Sequence, residues 1–186
     1  MSETIFTIGH STRPFDKFLE ILKTFHIGMV ADVRTIPKSR HNPQFNMDSL
    51  KKGLEGHGVG YIHMAELGGL RHTTIDSINT GWKNQSFRGY ADYMQSPEFA
   101  NSLEQLIAIA REKITTIMCA EAVPWRCHRS LIGDALLIQG FKVEDIMSEK
   151  ISTLHKLTPW ARVDGFTITY PAEALRRNVP SDTSIP

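Results

Sequence analysis

From Cys119 to Ser130 the chain reads Cys-Ala-Glu-Ala-Val-Pro-Trp-Arg-Cys-His-Arg-Ser, so two thiols, a carboxylate, an imidazole and two guanidinium groups share one short stretch. Thiols need acidification before they react, and the usual means are a helix N-terminus and a neighbouring cation. Cys127-His128-Arg129 has both if a helix begins there, which makes Cys127 a candidate nucleophile and His128 its partner. Glu121 would serve as acid or base, and Arg129 would hold an anion. Cys119 shares one side of the extended segment with Glu121 and is grouped with the substrate-binding residues. Its bland reading is an inert buried thiol.

Three other polar sets stand immediately after apolar runs. Gly9-His10-Ser11-Thr12 combines a glycine that permits close backbone approach with an imidazole and two hydroxyls, a suitable setting for an anion, although either hydroxyl could simply cap a helix. Asp32-Val-Arg34 puts two opposite charges on one face of an extended strand: an ion pair, or an Arg that grips an anion while Asp32 acts as base. Glu66-Leu-Gly-Gly-Leu-Arg71 offers a further acid and a further anion ligand, followed by Trp82, Phe87, Arg88 and Tyr90. The loop after Arg34 adds Lys38, Arg40 and His41 without an acid before Met47, which would draw negative charge to a pocket mouth.

The expected catalytic set is therefore Asp32, Glu66, Glu121, Cys127 and His128. The expected substrate-binding set is Gly9, His10, Ser11, Arg34, Arg71, Arg88, Tyr90, Cys119 and Arg129. A metal held by Cys119, Cys127, His128 and His10 fits less well, because zinc ligands normally come in closer pairs, so no metal or other cofactor is expected. Six residues separate Cys119 from Arg126; the rhodanese and cysteine-phosphatase loop is one residue shorter, so its mechanism is not transferred. Neither a phosphate-binding G-x-x-x-x-G-K-[ST] nor a dinucleotide G-x-G-x-x-G motif is present, which argues against an ordinary NTPase or dehydrogenase.

Thr7-Ile-Gly-His-Ser11, Asp32-Val-Arg34, Glu66-Leu-Gly-Gly69, Phe87-Arg-Gly-Tyr90 and Cys119 to Ser130 together resemble the domain-of-unknown-function family 488, over about Ile5 to Tyr170. The resemblance implies a compact α/β fold and carries no activity with it.

These residues need elements to position them. Short β-prone runs alternate with helical stripes, the pattern of parallel βαβ units. Strands are expected at Thr4–Ile8, Ile27–Val33, Val59–His63, Ile114–Cys119 and Lys142–Ile146. Helices are expected along Phe15, Phe18, Leu19, Leu22 and Phe25, behind an Asp48 cap, behind Ser96-Pro97-Glu98, and over His128–Gln139. The stretch from Leu67 to Phe87 has little apolar rhythm and reads as a loop. Asp164-Gly165 signals a hairpin within 160–170. The expected fold is a three-layer α/β sandwich with a mainly parallel central sheet of about five strands plus a C-terminal β-hairpin, forming one domain over 1–177 and a tail at 178–186.

The chain has 186 residues, 41 % hydrophobic and 22 % charged, with net charge +1, which supports one ordinary core and weighs against extended duplex binding. No apolar run approaches the roughly 20 residues that a membrane span needs, and Met1–Ile8 lacks a signal-peptide pattern. Two cysteines in a short loop suit a reducing compartment, so a cytoplasmic setting is expected. The composite expectation is an enzyme that acts on an anionic, nucleotide-related small molecule by hydrolysis or group transfer. Two alternatives are a single-stranded nucleic-acid-binding module using Trp82, Phe87 or Tyr90 as stacking surfaces, and a non-catalytic partner-binding domain.

Overall fold

Residues 3–172 are described by the computed structural model. The domain boundary expected at 177 and the tail at 178–186 lie outside them. The expected runs become β1 Thr4–Gly9, β2 Met29–Asp32, β3 Gly60–His63, β4 Thr115–Cys119 and β5 Lys142–Ile146. A sixth strand, β6 Ser152–Leu154, pairs antiparallel with β5 and was not legible in the sequence. It is three residues long and two of them are exposed, so it carries almost no apolar signature. The sheet order is β3-β2-β4-β1-β5-β6, with the first five strands parallel.

Five helices cover the sheet: α1 Phe15–Thr24, α2 Met47–Glu55, α3 Gln85–Tyr93, α4 Pro97–Glu112 and α5 Arg129–Ile138. One core, with Phe18, Leu22, Leu50 and Leu54, lies under α1 and α2. The other, with Tyr90, Phe99, Leu106 and Leu131, lies under α3, α4 and α5. The result is the three-layer arrangement expected. Ser96 caps α4 by accepting from the Phe99 amide, with Pro97 at the first position, as the Ser-Pro-Glu signal indicates. Asp48 is not the cap of α2. Asn46 holds that position without a capping bond, its Oδ1 accepting instead from the Ser39 amide at 2.7 Å, and Asp48 sits one residue inside the helix, where its charge still faces the positive end of the dipole.

The segment read as a loop ends in α3, whose Asn84 caps the Ser86 and Phe87 amides. The preceding irregular part is ordered by one carboxylate. Asp92 accepts from the Thr74 amide and hydroxyl, the Ser77 hydroxyl and the Asn79 amide group. The expected hairpin is present as β7 Arg162–Asp164 and β8 Thr167–Thr169. Its two-residue loop is Gly165-Phe166, and Gly165 takes φ +57°, the left-handed region that glycine enters without cost. Among the described residues no helix is long and apolar enough to cross a membrane.

This topology fixes where a site can form. The chain leaves β1 toward α1 on one face and leaves its neighbour β4 toward α5 on the other, so a crevice opens between the two carboxyl ends.

Candidate functional site

The crevice begins with backbone. Gly9 stands beside Cys119 in register, and pairing continues past the strands: the His10 amide donates to the Cys119 carbonyl at 2.9 Å and the Ser11 amide to that of Ala120 at 3.0 Å. A side chain at Gly9 would fall on the Glu121 carbonyl, so glycine is what lets the 120–122 loop lie against β1. Ser11 carries φ +50°, an uncommon conformation for a residue with a Cβ.

Above this floor is a cavity of about 670 Å³, in the size range of small-molecule sites. His10, Ser11, Arg34, Cys119, Glu121, Cys127 and His128 from the expected set line it. Thr35, Ile36, Lys38, Leu70, Phe87 and Arg126 complete much of the wall.

The thiols form its reactive corner. A 3-10 turn, Pro124–Arg126, folds the chain back so that the ligand atoms of Cys119, Cys127 and His128 all lie within 4.8 Å of one another. His128 Nε2 donates to the Val33 carbonyl at 2.9 Å, which leaves Nδ1 facing the sulfurs, 3.6 Å from Cys127 Sγ. Gly69 packs against that ring so closely that a Cβ there would sit 2.5 Å from Nδ1. The Cys127 thiol and His128 hold Cys119 well below the ordinary thiol range, despite its burial. Cys127 moves the other way, because it keeps the proton it shares with Cys119 and is itself buried. The acidified thiol is thus Cys119, contrary to the expectation that the helix terminus would depress Cys127. Sequence proximity to a helix start was outweighed by a through-space thiol pair.

Arg129 opens α5 and is 1 % exposed, and among the described residues nothing accepts a hydrogen bond from its Nε or Nη1. Its charge acts on Cys127 and lowers the pKa of Arg13, after the larger effect of burial on Arg13 itself. A buried guanidinium without a carboxylate is costly unless some anion is near.

Asp32 and Arg34 take the structural alternative. Arg34 Nε and Nη2 grip the two Asp32 oxygens at 2.8 and 2.6 Å, and the Tyr61 hydroxyl donates to Asp32 Oδ2 at 2.8 Å. Arg34 Nη2 also donates to the Phe45 carbonyl, and Nη1 to His10 Nε2 at 3.2 Å. His10 Nδ1 donates to the Ser11 carbonyl at 2.7 Å while the ring stacks on Phe45. Burial and the Arg34 charge keep His10 neutral, against the pull of that backbone bond. The expected roles of Asp32 as base and Arg34 as anion ligand therefore do not fit, because their polar atoms are already committed to one another.

Four further expected residues stand away from the cavity. Glu66 is exposed and outside the cavity lining. Arg71 donates to the Gly68 and Glu66 carbonyls and covers the Tyr93 ring at 3.6 Å, so it staples its own loop. Arg88 donates to the Trp82 carbonyl, and Tyr90 is fully buried with its hydroxyl on the Leu67 carbonyl. Trp82 stacks on Phe87 and meets Trp160 edge-on, within the core of the α3–α5 face.

Arg126 and the exposed Trp125 are additions that sequence reasoning passed over. Their position directly before Cys127 was the available signal.

The model of the family described as Domain of unknown function DUF488 matches residues 14–136, which contain β2 to β4, the 120–128 loop and most of α5. The chain belongs to that family. The matched span of the DUF488 domain begins after His10 and Ser11, yet those residues complete the same cavity. Searches of curated proteins and of solved structures returned no match.

Proposed function

We propose that the chain is a thiol-dependent enzyme acting on a small anionic, nucleotide-related substrate by hydrolysis or group transfer through Cys119. The supporting observation is the cluster of Cys119, Cys127 and His128 on the wall of a cavity whose rim carries Lys38 and Arg126. A thiolate is a strong nucleophile at neutral pH, and this one is stabilised without any metal ligand set being assumed. Ile36, Leu70 and Phe87 give the substrate an apolar wall for a flat group, while Lys38 and Arg126 meet its charge.

In this reading Cys119 Sγ bonds the electrophilic atom, and the leaving group departs with the bonding pair and takes a proton from water in the cavity. Water or a second acceptor then attacks the adduct, Glu121 accepts its proton and returns it to the hydroxide left by the first step, and the Cys119 thiolate is restored. His128 beside the pair favours the ionised Cys119 sulfur, and the buried Arg129 charge acts on the neighbouring Cys127. The free thiols are consistent with action in the cytoplasm.

The test couples alkylation with ligand protection. Iodoacetamide should modify Cys119 faster than a free thiol at pH 6, and one of a panel of inorganic phosphate, nucleoside monophosphates and sugar phosphates should slow that modification and raise Tm. A Cys119 no more reactive than a free thiol, with no protecting anion, overturns the reading. Trp125, 63 % exposed beside Arg126, favours single-stranded nucleic acid as the second reading. Protection by oligonucleotides alone, lost steeply with salt, would select it.

A further inference from the structure

The proposed reaction gives Cys127 no bond to make, yet its sulfur is clustered with the reactive one. It is 5 % exposed, lines the same cavity, and keeps its proton while Cys119 loses one. Its Sγ lies within 4.8 Å of Cys119 Sγ and 3.6 Å from His128 Nδ1. Cys127 is also outside α5: its backbone is extended, φ −131° and ψ 145°, at the joint between the 3-10 turn and the helix. A side chain at such a joint can rotate toward its neighbour without breaking a helical hydrogen bond.

We infer that Cys119 and Cys127 form a reversible modification site, in which a peroxide oxidises Cys119 and Cys127 resolves the product as an internal disulfide. In the first step the Cys119 thiolate attacks one peroxide oxygen, the O–O bond breaks, and with one proton taken up the products are Cys119 sulfenic acid and water or an alcohol. In the second, His128 Nδ1 takes the Cys127 proton, the Cys127 sulfur bonds Cys119 Sγ, and hydroxide leaves and receives that proton as water. The two sulfurs together have lost two electrons, which the peroxide has gained.

Three features suit the pair to this chemistry. The attacking thiol is the acidified one that faces the cavity, as a peroxide-sensitive cysteine must be. The resolving thiol keeps its proton and is only 5 % exposed, so it reacts with oxidant more slowly than Cys119, and a base stands against it. The ring closed by the disulfide is short, so the cross-link removes little entropy from the unfolded chain and is readily reduced again by cellular thiols. The resulting disulfide would occupy the nucleophile and switch the site off. That last consequence rests on the function proposed above, while the chemistry of the pair does not.

The experiment treats the intact chain with hydrogen peroxide, follows mass, maps the cross-link by peptide digestion and probes sulfenic acid with dimedone. The expected wild-type product has lost two hydrogens, joins Cys119 to Cys127, resists dimedone and reverts with dithiothreitol. Cys127→Ser should stop at the sulfenic acid and take up dimedone on Cys119, and Cys119→Ser should slow oxidation about tenfold or more. If wild type accumulates dimedone-reactive Cys119 or its sulfinic acid without a cross-link, the inference fails. It fails equally if the protein carries one equivalent of zinc on these sulfurs and is inert to peroxide until chelated. Because the wild-type mass and cross-link map need no variant and no substrate, a negative result here leaves the anion-protection test standing.

Discussion

Two buried polar clusters hang from α5, one near its middle and one at its N-terminus, and they have opposite character. Toward its middle, Asp134 accepts from His155 Nε2 at 3.2 Å, the Thr158 amide at 3.0 Å and the Tyr170 hydroxyl at 2.9 Å. His155 Nδ1 donates to Asp145 at 3.0 Å, and Thr7 donates to the same carboxylate at 2.6 Å. Asp134, His155, Asp145, Thr7 and Tyr170 are all buried, and each has a partner. At the N-terminus of α5, by contrast, Arg129 has unpaired nitrogens, two thiols share a proton, and a cavity opens alongside. A closed network can only hold structure together. An open one has binding capacity left over, and that difference is what separates a clamp from a site.

The comparison is most severely tested by breaking the clamp. Asp134→Ala should destabilise the fold by about 3–5 kcal/mol, since it removes one of the two carboxylates that hold buried His155 and leaves the Thr158 amide and Tyr170 hydroxyl without their acceptor. Urea unfolding would measure this, and native alkylation of Cys119 should retain its rate. If the substitution instead abolished thiol reactivity in the folded protein, the two clusters would be one unit.

The pH dependence comes next. Burial pulls the His155 pKa down, but the bonds and charges of Asp134 and Asp145 outweigh it and raise it to about 9. The stabilisation is complete below pH 6.5, the value of an unfolded histidine, and disappears as pH rises through about 9. The rise is worth roughly 3 kcal/mol. Unfolding free energies at pH 6 and pH 10 should differ by about that much, and His155→Gln should flatten the curve.

For the open cluster, Cys119→Ser should remove the fast alkylation, a loss of about a hundredfold, while stability changes by less than about 1 kcal/mol. The wild-type rate should stay level as pH falls from 8 toward 6, where an ordinary thiol slows about tenfold per pH unit. Arg126→Ala should have the smallest effect, a few-fold weaker protection by anions with Tm unchanged, because its exposed charge steers ligand rather than supporting the fold. Thermal shift across the anion panel would read both quantities.

How far residues alone can carry such distinctions is clear from particular cases. His10, Ser11, Cys119 and Glu121 stand out by their place after strands, because a parallel sheet brings its carboxyl ends together, and Cys127 and His128 by their place at a helix start; all six line the cavity. Asp32-Val-Arg34 met the same criterion and proved to be a closed ion pair. Glu66 and Arg71 follow a strand and flank glycines, but Glu66 is exposed and Arg71 folds back on the carbonyls of its own loop, while Arg88, within α3, donates to the Trp82 carbonyl. Strand β6 and helix α3 were missed because one is short and half exposed and the other follows a glycine-rich segment with little apolar rhythm.

The sequence by itself determined the alternation of strand and helix, the parallel sheet with its hairpin, and the edge of that sheet where polar groups gather. Those follow from periodicity and from residue types that start and stop elements, which are local properties. Only the tertiary structure decided which polar groups are spent and which are free. Whether a carboxylate at a strand end is a base or half of an ion pair depends on what lies within about 3 Å of it through space. The same holds for the thiols: the 3-10 turn at Pro124–Arg126 brings Cys127 back to Cys119, and that contact together with His128, rather than the helix start alone, holds the Cys119 thiol low.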